Sequence, residues 1–166
     1  MTNDFIIREG QLDDLSELQK LFVDTVTAIC KTDYDNDQIE AWISDTKHNE
    51  SRERWQNVLT KQFVLVAQHE NKIVGFATLD KGSYIDFFYV HKDYQRQGIA
   101  NKLYTDIENE SKRQQQTILT SDVSKTARPF FEKQGFKVIA EQIVNKKDIN
   151  LINYKMKKTL DEHPNS

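Results

Sequence analysis

Cysteine, proline and glycine are scarce in this chain of 166 residues, which has one cysteine, two prolines and five glycines. Because Cys30 is alone, an internal disulfide and a zinc site built from several cysteines are excluded. The four histidines show no ligand spacing, so we expect no metal site. No apolar run approaches the roughly 20 residues that a membrane-spanning helix requires, and we therefore expect no membrane contact.

An excess of basic charge is also missing. The 23 Lys and Arg residues are outnumbered by 26 Asp and Glu residues, which argues against a nucleic acid held mainly by electrostatics. The chain does have nine Phe, six Tyr and two Trp, enough large apolar side chains for an ordered core. We expect one soluble, cytoplasmic domain over residues 1–160 and a flexible tail at 161–166. A homodimer is compatible with the sequence, which does not determine the oligomeric state.

Apolar periodicity predicts helices in the first third of the chain and mostly strands after it. Side chains from Leu12 to Ile29 recur every three or four residues, the spacing of a helix with one buried face. The predicted helices are 12–29, 37–46, 52–61, 98–113 and 126–134. The predicted strands are 5–8, 63–68, 73–79, 84–90, 117–123, 136–144 and 150–156. This order of elements predicts a domain of the α+β (mixed α/β) class.

The most informative segment runs from Tyr84 to Lys102, where an apolar strand leads through a charged loop into a helix. The first turn of a helix presents unpaired backbone N–H groups and partial positive charge. Gly98 allows the main chain to approach a ligand closely, and Arg96 adds a positive charge nearby. The segment therefore favours a phosphate or pyrophosphate site, although the same pattern is also ordinary punctuation before a helix. It is neither a Walker A loop nor a dinucleotide-binding fingerprint.

Four pieces of the sequence, taken together, resemble one known family. Gln95-x-x-Gly98-x-Ala100 is similar to the acetyl-CoA loop motif, Gln/Arg-x-x-Gly-x-Gly/Ala, of the GNAT N-acetyltransferase superfamily. Residues 5–15, 73–77 and 127–136 resemble the family's opening strand and helix, its third strand and its late A…YEK-x-GF segment. The resemblance covers nearly the whole chain and is strongest over residues 73–136.

The resemblance implies a mostly antiparallel, twisted sheet of about seven strands, with strands 4 and 5 splayed apart and helices on both faces. It implies acetyl-CoA as the co-substrate, with the pantetheine arm in the gap against the main chain of Phe88, Tyr89 and Val90. The pyrophosphate is then expected on the amides of the loop, formed by Gln95, Arg96, Gln97, Gly98, Ile99 and Ala100. An N–H near Tyr89 or Val90 would polarise the thioester carbonyl.

Acetyl transfer to an amine requires a deprotonated nitrogen, and a primary amine has a pKa of about 10.4. A base is therefore useful, and the candidate is Asp86, an acid within the apolar run from Ile85 to Val90. Burying a carboxylate that is neither paired nor used is costly. The alternatives are a partner for the substrate ammonium without proton transfer, and an acid on the solvated side of the strand.

Members of the family often protonate the departing thiolate with a tyrosine in the late helix, and Phe131 occupies the matching position here. Phe131 is then either a contact of the cofactor arm or a core residue. The substitute acids are Tyr84, Tyr154 or water, because a thiol with a pKa of about 8.5 is a tolerable leaving group. Ser124 stands where the family often has an Asn that contacts the pantetheine, and its hydroxyl either does the same or caps the next helix.

The resemblance places the acceptor between the first two helices. Tyr34 and Trp42, with the acids Asp33, Asp35 and Asp37, suit a cationic amine through charge and cation–π contacts. Alternatively, the acids form a solvated capping loop and Trp42 belongs to the core.

The predicted function is that of an N-acetyltransferase that moves the acetyl group of acetyl-CoA directly to a primary amine of a small molecule or protein. Two alternatives remain at this point. One is an acyl-CoA-binding sensor of the same shape without turnover, and the other is an unrelated interaction domain.

Overall fold

The computed structural model describes residues 4–44, 46 and 50–160; the predicted tail at 161–166 lies outside them. The α-helices are α1 (Leu15–Ile29), α2 (Asn36–Ser44), α3 (Glu50–Lys61), α4 (Ile99–Arg113) and α5 (Arg128–Lys133). The strands are β1 (Ile6–Glu9), β2 (Phe63–His69), β3 (Lys72–Asp80), β4 (Tyr84–Val90), β5 (Ile118–Ser124), β6 (Lys137–Lys146) and β7 (Ile149–Thr159). In these ranges no helix is both long enough and apolar enough to cross a membrane.

The first helix begins later than its apolar spacing predicts. Leu12–Asp14 forms a separate 3-10 turn ahead of α1. The carboxylate of Asp14 accepts the N–H of Gln11 at 2.8 Å and pairs with the guanidinium of Arg8 at 2.9 Å. The turn is therefore tied to β1, and the α-helical geometry starts only after it.

The last two strands are longer than predicted. β6 ends at Lys146 and β7 begins at Ile149, so that only Lys147 and Asp148 connect them. Both connecting residues have positive φ angles, 52° and 66°. Two successive residues at positive φ form the tight turn whose twist matches that of a β-hairpin.

The seven strands form one sheet in the order β1-β2-β3-β4-β5-β7-β6. β4 and β5 are parallel, whereas the other neighbouring strands are antiparallel. The parallel pairing joins Tyr84 to Thr120 and Ile85 to Ser121, after which the two strands diverge. The predicted α+β architecture with splayed strands 4 and 5 is confirmed.

Helices cover both faces of the sheet and enclose two cores. The first core packs α1, α2 and α3 on one face, and it includes Phe22, Trp55 and Phe76. The second core packs α4 and α5 on the other face, and it includes Leu103 and Ile107. Full burial of side chains of this size stabilises the fold by roughly 1.5–3 kcal/mol each, so both faces contribute to stability.

β4 contains a bulge that its sequence pattern does not reveal. Asp86 and Phe87 together oppose one residue of β3, Thr78. Side chains of a regular strand alternate between faces, but here both Asp86 and Phe87 lie on the face of α1 and α3. Ile85 and Phe88, on either side, pack toward the second core. The bulge therefore presents two consecutive side chains to the same helices.

Candidate active site

A cleft of about 280 Å³ opens where β4 and β5 diverge. On the sheet it is lined by residues 84–89 of β4 and 121–124 of β5. From the other side it is covered by Phe22 of α1, Trp42 of α2 and Arg54 of α3. The cleft therefore connects the splayed edges of the sheet with the helices expected to bind the acceptor.

Ser121 lies at the point where the two strands separate. Its hydroxyl donates a hydrogen bond to the carbonyl of Ile85 at 2.8 Å. These two residues also form the last parallel pair between β4 and β5. Beyond them, and within the part of the chain that the structure describes, the β5-facing edge of β4 has no strand partner. An extended ligand can pair with such an edge.

The register of β4 shows which of its amides face this gap. The N–H of His91 donates to the carbonyl of Val74 on β3 at 2.8 Å, so the N–H of Tyr89 points to β3 as well. The N–H groups of Phe88 and Val90 then point into the gap. Of the two amides expected near the thioester, those of Tyr89 and Val90, the Val90 amide has the required direction.

The loop between β4 and α4 has an uncommon backbone conformation. Gln95 anchors it by donating from Nε2 to the carbonyl of Val90 at 2.6 Å. Arg96 and Gly98 have φ angles of 61° and 85°, in the left-handed region that favours glycine. A Cβ atom placed on Gly98 would meet nothing within 4 Å. Glycine is therefore required there by the backbone angle, and the space beside it is open.

The first turn of α4 supplies main-chain donors. The N–H of Lys102 donates to the carbonyl of Gly98 at 3.1 Å, so the amides of Ile99, Ala100 and Asn101 precede the first helical hydrogen bond. The side chain of Ile99 is buried and that of Ala100 is half-buried against the second core. These side chains anchor the helix while its terminal amides stay directed toward the loop.

The remaining loop side chains differ in exposure. Arg96 is exposed and Gln97 is half-buried. The exposed guanidinium of Arg96 thus provides positive charge at the same end of α4 where the helix dipole is positive.

Phe131 belongs to both the second core and the cleft. It is 3% exposed and packs edge-on against Phe88 with ring centroids 5.8 Å apart. Ser124, nearby in the cleft lining, accepts the N–H of Ala127 through its hydroxyl at 3.1 Å and so caps the turn that leads into α5. Because Phe131 has no hydroxyl, a proton for a leaving thiolate must come from another group.

Asp86 lies at the cleft with both carboxylate oxygens engaged. Oδ2 accepts from Nε2 of Gln62 at 2.8 Å, and Oδ1 lies 3.3 Å from Nη2 of Arg54. The Asp86 side chain is 14% exposed and the Arg54 side chain 58%. The Arg54 guanidinium carbon also lies 5.1 Å from the ring centroid of Phe87. The carboxylate is therefore held by an amide inside the wall and by a guanidinium that reaches it from the surface.

Tyr84 donates its hydroxyl to Oδ2 of Asp122 at 3.0 Å, and Gln142 donates to the other oxygen at 3.0 Å. Burial, and then the charge of Asp122, raise the pKa of Tyr84 above its ordinary value, so its hydroxyl keeps the proton at neutral pH. Tyr154, the other predicted substitute acid, packs against the second core with the guanidinium of Arg128 4.6 Å from its ring centroid. Tyr154 does not line the cleft.

Tyr34 and Trp42 both line the cleft, but the hydroxyl of Tyr34 is already occupied. It donates to the carbonyl of Ile152 at 2.6 Å and accepts the N–H of Lys125 at 3.0 Å. Burial raises the pKa of Tyr34. Trp42 packs edge-on against it with ring centroids 5.3 Å apart. A ligand would therefore meet the rings of these residues more readily than the hydroxyl.

The acids near Tyr34 serve local structure. Asp35 accepts the N–H of Gln38 at 2.8 Å, while Gln38 accepts the N–H of Asp35 at 2.9 Å, a reciprocal cap at the start of α2. Asp33 accepts the hydroxyl of Thr126 at 2.8 Å. Asp33, Asp35 and Asp37 are exposed and do not line the cleft, which supports the capping-loop alternative. Across the described residues, no group of three or more His, Cys, Asp or Glu is placed to hold a metal ion.

The sequence reasoning missed two residues of the cleft lining, Arg54 and Asp122, and also Gln62, which holds Asp86 from behind the lining. Arg54 and Gln62 lie 32 and 24 positions from Asp86 in the chain, so no local spacing relates them to it. Asp122 had a weak signal, because it is an acid within a predicted strand.

The sequence of the chain matches one family and a protein named as an N-acetyltransferase. The family described as acetyltransferase (GNAT) domain matches residues 30–158. An uncharacterized N-acetyltransferase of Escherichia coli K12, YafP, is 35% identical over 156 residues, which cover 93% of this chain and 96% of that protein.

Solved structures share the fold. The GCN5-related N-acetyltransferase of Rhodopseudomonas palustris, also described as an aminotransferase of class II, superposes with a TM-score of 0.88 at 29% identity, over 96% of this chain and 98% of that one. The PaiA N-acetyltransferase of Thermoplasma acidophilum, solved in complex with coenzyme A, has a TM-score of 0.75 at 20% identity, over 94% and 99% of the two chains. Since the family match spans most of the chain and a relative 35% identical covers nearly all of it, this chain belongs to the GNAT acetyltransferase family and is an acyltransferase.

Proposed function

We propose that this acyltransferase moves the acetyl group of acetyl-CoA directly to a primary amine. The observation that carries the proposal is the open edge of β4, which leads from the cleft to the left-handed loop before α4. A pantetheine arm contains amides that can pair with a strand edge, and a pyrophosphate suits the amides of a helix N-terminus. The coenzyme A bound by the PaiA relative, which has the same fold, supports this choice of cofactor.

The cofactor would lie along main-chain groups. Phe88 and Val90 offer N–H groups to the pantetheine, and the loop from Gln95 to Ala100 offers amides to the pyrophosphate, with the exposed charge of Arg96 beside it. Ser124 and Phe131 flank the arm from β5 and α5. Main-chain donors are rigid, so the cofactor would be placed without ordering many flexible side chains.

The Val90 amide is the proposed donor to the thioester carbonyl. That oxygen gains negative charge when the amine attacks the carbonyl carbon. A fixed N–H aimed at it therefore binds the transition state more strongly than the ground state.

Direct transfer is supported by the position of the only thiol. Cys30 is 4% exposed in the first core and does not line the cleft, and burial raises its pKa. A thiol so placed is a poor nucleophile, because the reactive thiolate is disfavoured. The amine nitrogen would thus bond to the acetyl carbon itself, as the bond from that carbon to sulfur breaks.

One proton would leave the amine before this step, and another would be taken up by the thiolate after it. Asp86, directly or through a water molecule, takes the proton that the ammonium must lose. The coenzyme thiolate takes a proton from water or from Tyr84, which lines the cleft. Water is the better donor of the two, because the raised pKa of Tyr84 makes it a weaker acid and its hydroxyl already donates to Asp122. The reaction then ends with an N-acetyl amide and free coenzyme A.

The test combines binding and turnover. Coenzyme A should bind in calorimetry and raise the melting temperature, because a ligand that binds only the folded state stabilises it. Thiol release from acetyl-CoA should then appear with members of a panel of primary amines. Absence of coenzyme A binding, or binding without thiol release on any amine, would refute the proposal.

A further inference from the structure

An ion pair lies in the wall of the cleft at the proposed base. Nη2 of Arg54 is 3.3 Å from Oδ1 of Asp86. The aspartate side chain is 14% exposed, whereas 58% of the arginine side chain is exposed. The carboxylate is therefore part of the wall, and the guanidinium is a surface group that reaches it from α3.

The groups around the ion pair form a site for a cation. Gln62 holds the second carboxylate oxygen at 2.8 Å, so Asp86 stays in place when Arg54 moves. The guanidinium carbon lies 5.1 Å from the ring centroid of Phe87, within the range of a cation–π contact. A carboxylate and an aromatic face are the groups that also attract an ammonium. Arg54 thus fills the position that the charged form of an amine acceptor would take.

The charge of the acceptor decides what happens to Arg54. An acceptor that is only cationic would displace the guanidinium from Asp86 and leave two positive charges beside one carboxylate, which repel each other. An acceptor that also carries a carboxylate avoids this. Its ammonium pairs with Asp86 while its carboxylate pairs with Arg54, so every charge keeps a partner.

We infer that the acceptor is a primary amine that also bears a carboxylate, as an α-amino acid does, with Arg54 as the residue that binds the carboxylate. The inference rests on the proposed function and names the substrate class of the same site. One carbon separates the two charged groups of an α-amino acid, so when its ammonium replaces the guanidinium that lies 3.3 Å from Asp86, its carboxylate lies next to the displaced guanidinium. The planar guanidinium also matches a carboxylate with two parallel hydrogen bonds.

The charges of the described cleft lining agree with a zwitterion. Among the residues that the structure describes, the lining contains two cationic residues, Arg54 and Lys146, and two acidic residues, Asp86 and Asp122. Both signs are balanced, whereas a site for a polyamine would be expected to have an excess of acids.

The size and walls of the cleft agree with a small acceptor that has an apolar side chain. The volume of about 280 Å³ is small even for a site that takes a compact ligand. The rings of Phe22, Phe87 and Tyr89 line it beside the ion pair. The ring centroid of Phe22 lies 5.8 Å from that of Phe87 and 5.1 Å from that of Tyr89. A peptide amine within a protein lacks the adjacent free carboxylate and does not fit this description.

The experiment compares amines that differ only in the carboxylate. Leucine is paired with 3-methylbutylamine and phenylalanine with 2-phenylethylamine, and leucinamide keeps the size of leucine without its negative charge. Thiol release gives kcat/KM for each, and calorimetry on protein saturated with coenzyme A gives the affinity of each acceptor without turnover. The proteins are the wild type, Arg54→Ala, Arg54→Lys and the control Arg52→Ala, which removes an exposed arginine from the same helix.

The amino acid of each pair should be preferred by about tenfold or more in the wild type, and leucinamide should behave like the amine. Arg54→Ala should abolish this preference, Arg54→Lys should keep part of it, and Arg52→Ala should keep all of it. Melting temperatures and coenzyme A affinity should be nearly unchanged, since Arg54 is a surface residue that does not touch the proposed cofactor path.

Three outcomes would overturn the inference. The first is a kcat/KM for the amine of each pair that equals or exceeds that of the amino acid, and the second is a preference for the amino acid that survives Arg54→Ala. The third is the absence of binding and turnover for every amino acid tested, in protein that binds coenzyme A. In the first two cases acetyl transfer itself still occurs, so the proposed function stands while the acceptor class is wrong. A wild-type protein that does not bind coenzyme A would instead refute the proposed function.

Discussion

The main-chain N–H of Phe87 donates a hydrogen bond to the hydroxyl of Thr78 at 3.0 Å. Thr78 is fully buried and opposes both residues of the bulge, Asp86 and Phe87. Its hydroxyl satisfies an amide that the bulge has displaced from the regular ladder. A side chain of β3 therefore supports the conformation that presents the carboxylate of Asp86 to the cleft.

Thr78→Val should destabilise the protein by about 1–3 kcal/mol, because it leaves the buried N–H of Phe87 without an acceptor while the side-chain volume is kept. Activity should fall further than the lost stability explains, since the bulge also positions Asp86. Denaturant unfolding and kcat/KM measure the two effects. Thr78→Ser is the control, because it keeps the hydroxyl and loses only a buried methyl group, which costs about 1 kcal/mol. A loss of activity in Thr78→Ser as large as that in Thr78→Val would show that the hydrogen bond does not position Asp86.

Gly98→Ala should lower the stability by about 1–2 kcal/mol, because alanine is strained at a φ of 85°. It should also weaken coenzyme A binding by about tenfold, since the new methyl group enters open space beside the loop. Gly135→Ala is the matched control, because Gly135 has a φ of 99° and its added Cβ would make an ordinary contact with Lys158 at 3.4 Å. An equal loss of coenzyme A affinity in both variants would argue against the loop assignment.

Asp86→Asn should lower kcat/KM by about 100-fold if the carboxylate is the base, with most of the loss in kcat. If Asp86 only pairs with the substrate ammonium, KM should rise instead while kcat changes little. Steady-state kinetics with a responsive amine separate the two roles. The affinity for coenzyme A should not change in this variant. A fully active variant would remove Asp86 from both roles.

His91 predicts how stability depends on pH. Burial, and then the positive charge of Lys72, lower the pKa of this histidine in the folded protein below the value of about 6.5 expected when unfolded. Below that value the unfolded chain takes up a proton that the folded protein resists, so stability is full above about pH 6.5 and falls as the pH drops toward the folded pKa.

His91→Asn should flatten this dependence in denaturant unfolding between about pH 7 and pH 5. Asparagine lacks the titration but offers an oxygen to the N–H of Asp93, which the Nδ1 of His91 accepts at 3.0 Å. An identical slope in the variant and the wild type would show that His91 does not govern the acid sensitivity.

The agreement between sequence and structure follows from the range of the interactions involved. Helix α4 was predictable because Ile99, Leu103 and Ile107 recur at helical spacing, and the spacing alone determines which face is buried. The importance of Gly98 was predictable, because a glycine just before a helix allows the main chain to approach a ligand closely. Ligand approach is only part of the reason for glycine at this position. The positive φ of Gly98 requires glycine whether or not a ligand approaches.

The surroundings of Asp86 were not predictable. The apolar run from Ile85 to Val90 reads as an uninterrupted strand, and the bulge appears only in the register against β3. The partners of Asp86, namely Arg54 and Gln62, come from α3 and the residue after it, and no residue between them and β4 indicates the contact. The hydroxyl of Tyr34 is likewise occupied by groups 91 and 118 positions away.

Patterns of residues close together in the sequence thus determined the succession of helices and strands, the glycine loop before α4 and the family to which the chain belongs. Each of these depends on residues a few positions apart, whose relation the backbone geometry of a helix, strand or turn sets directly. The tertiary structure alone decided the bulge in β4, the direction of the Val90 amide, and the pairing of Asp86 with Arg54. These depend on which distant segments pack together, because the electrostatic and hydrogen-bonding energy of a side chain is set by its neighbours in space.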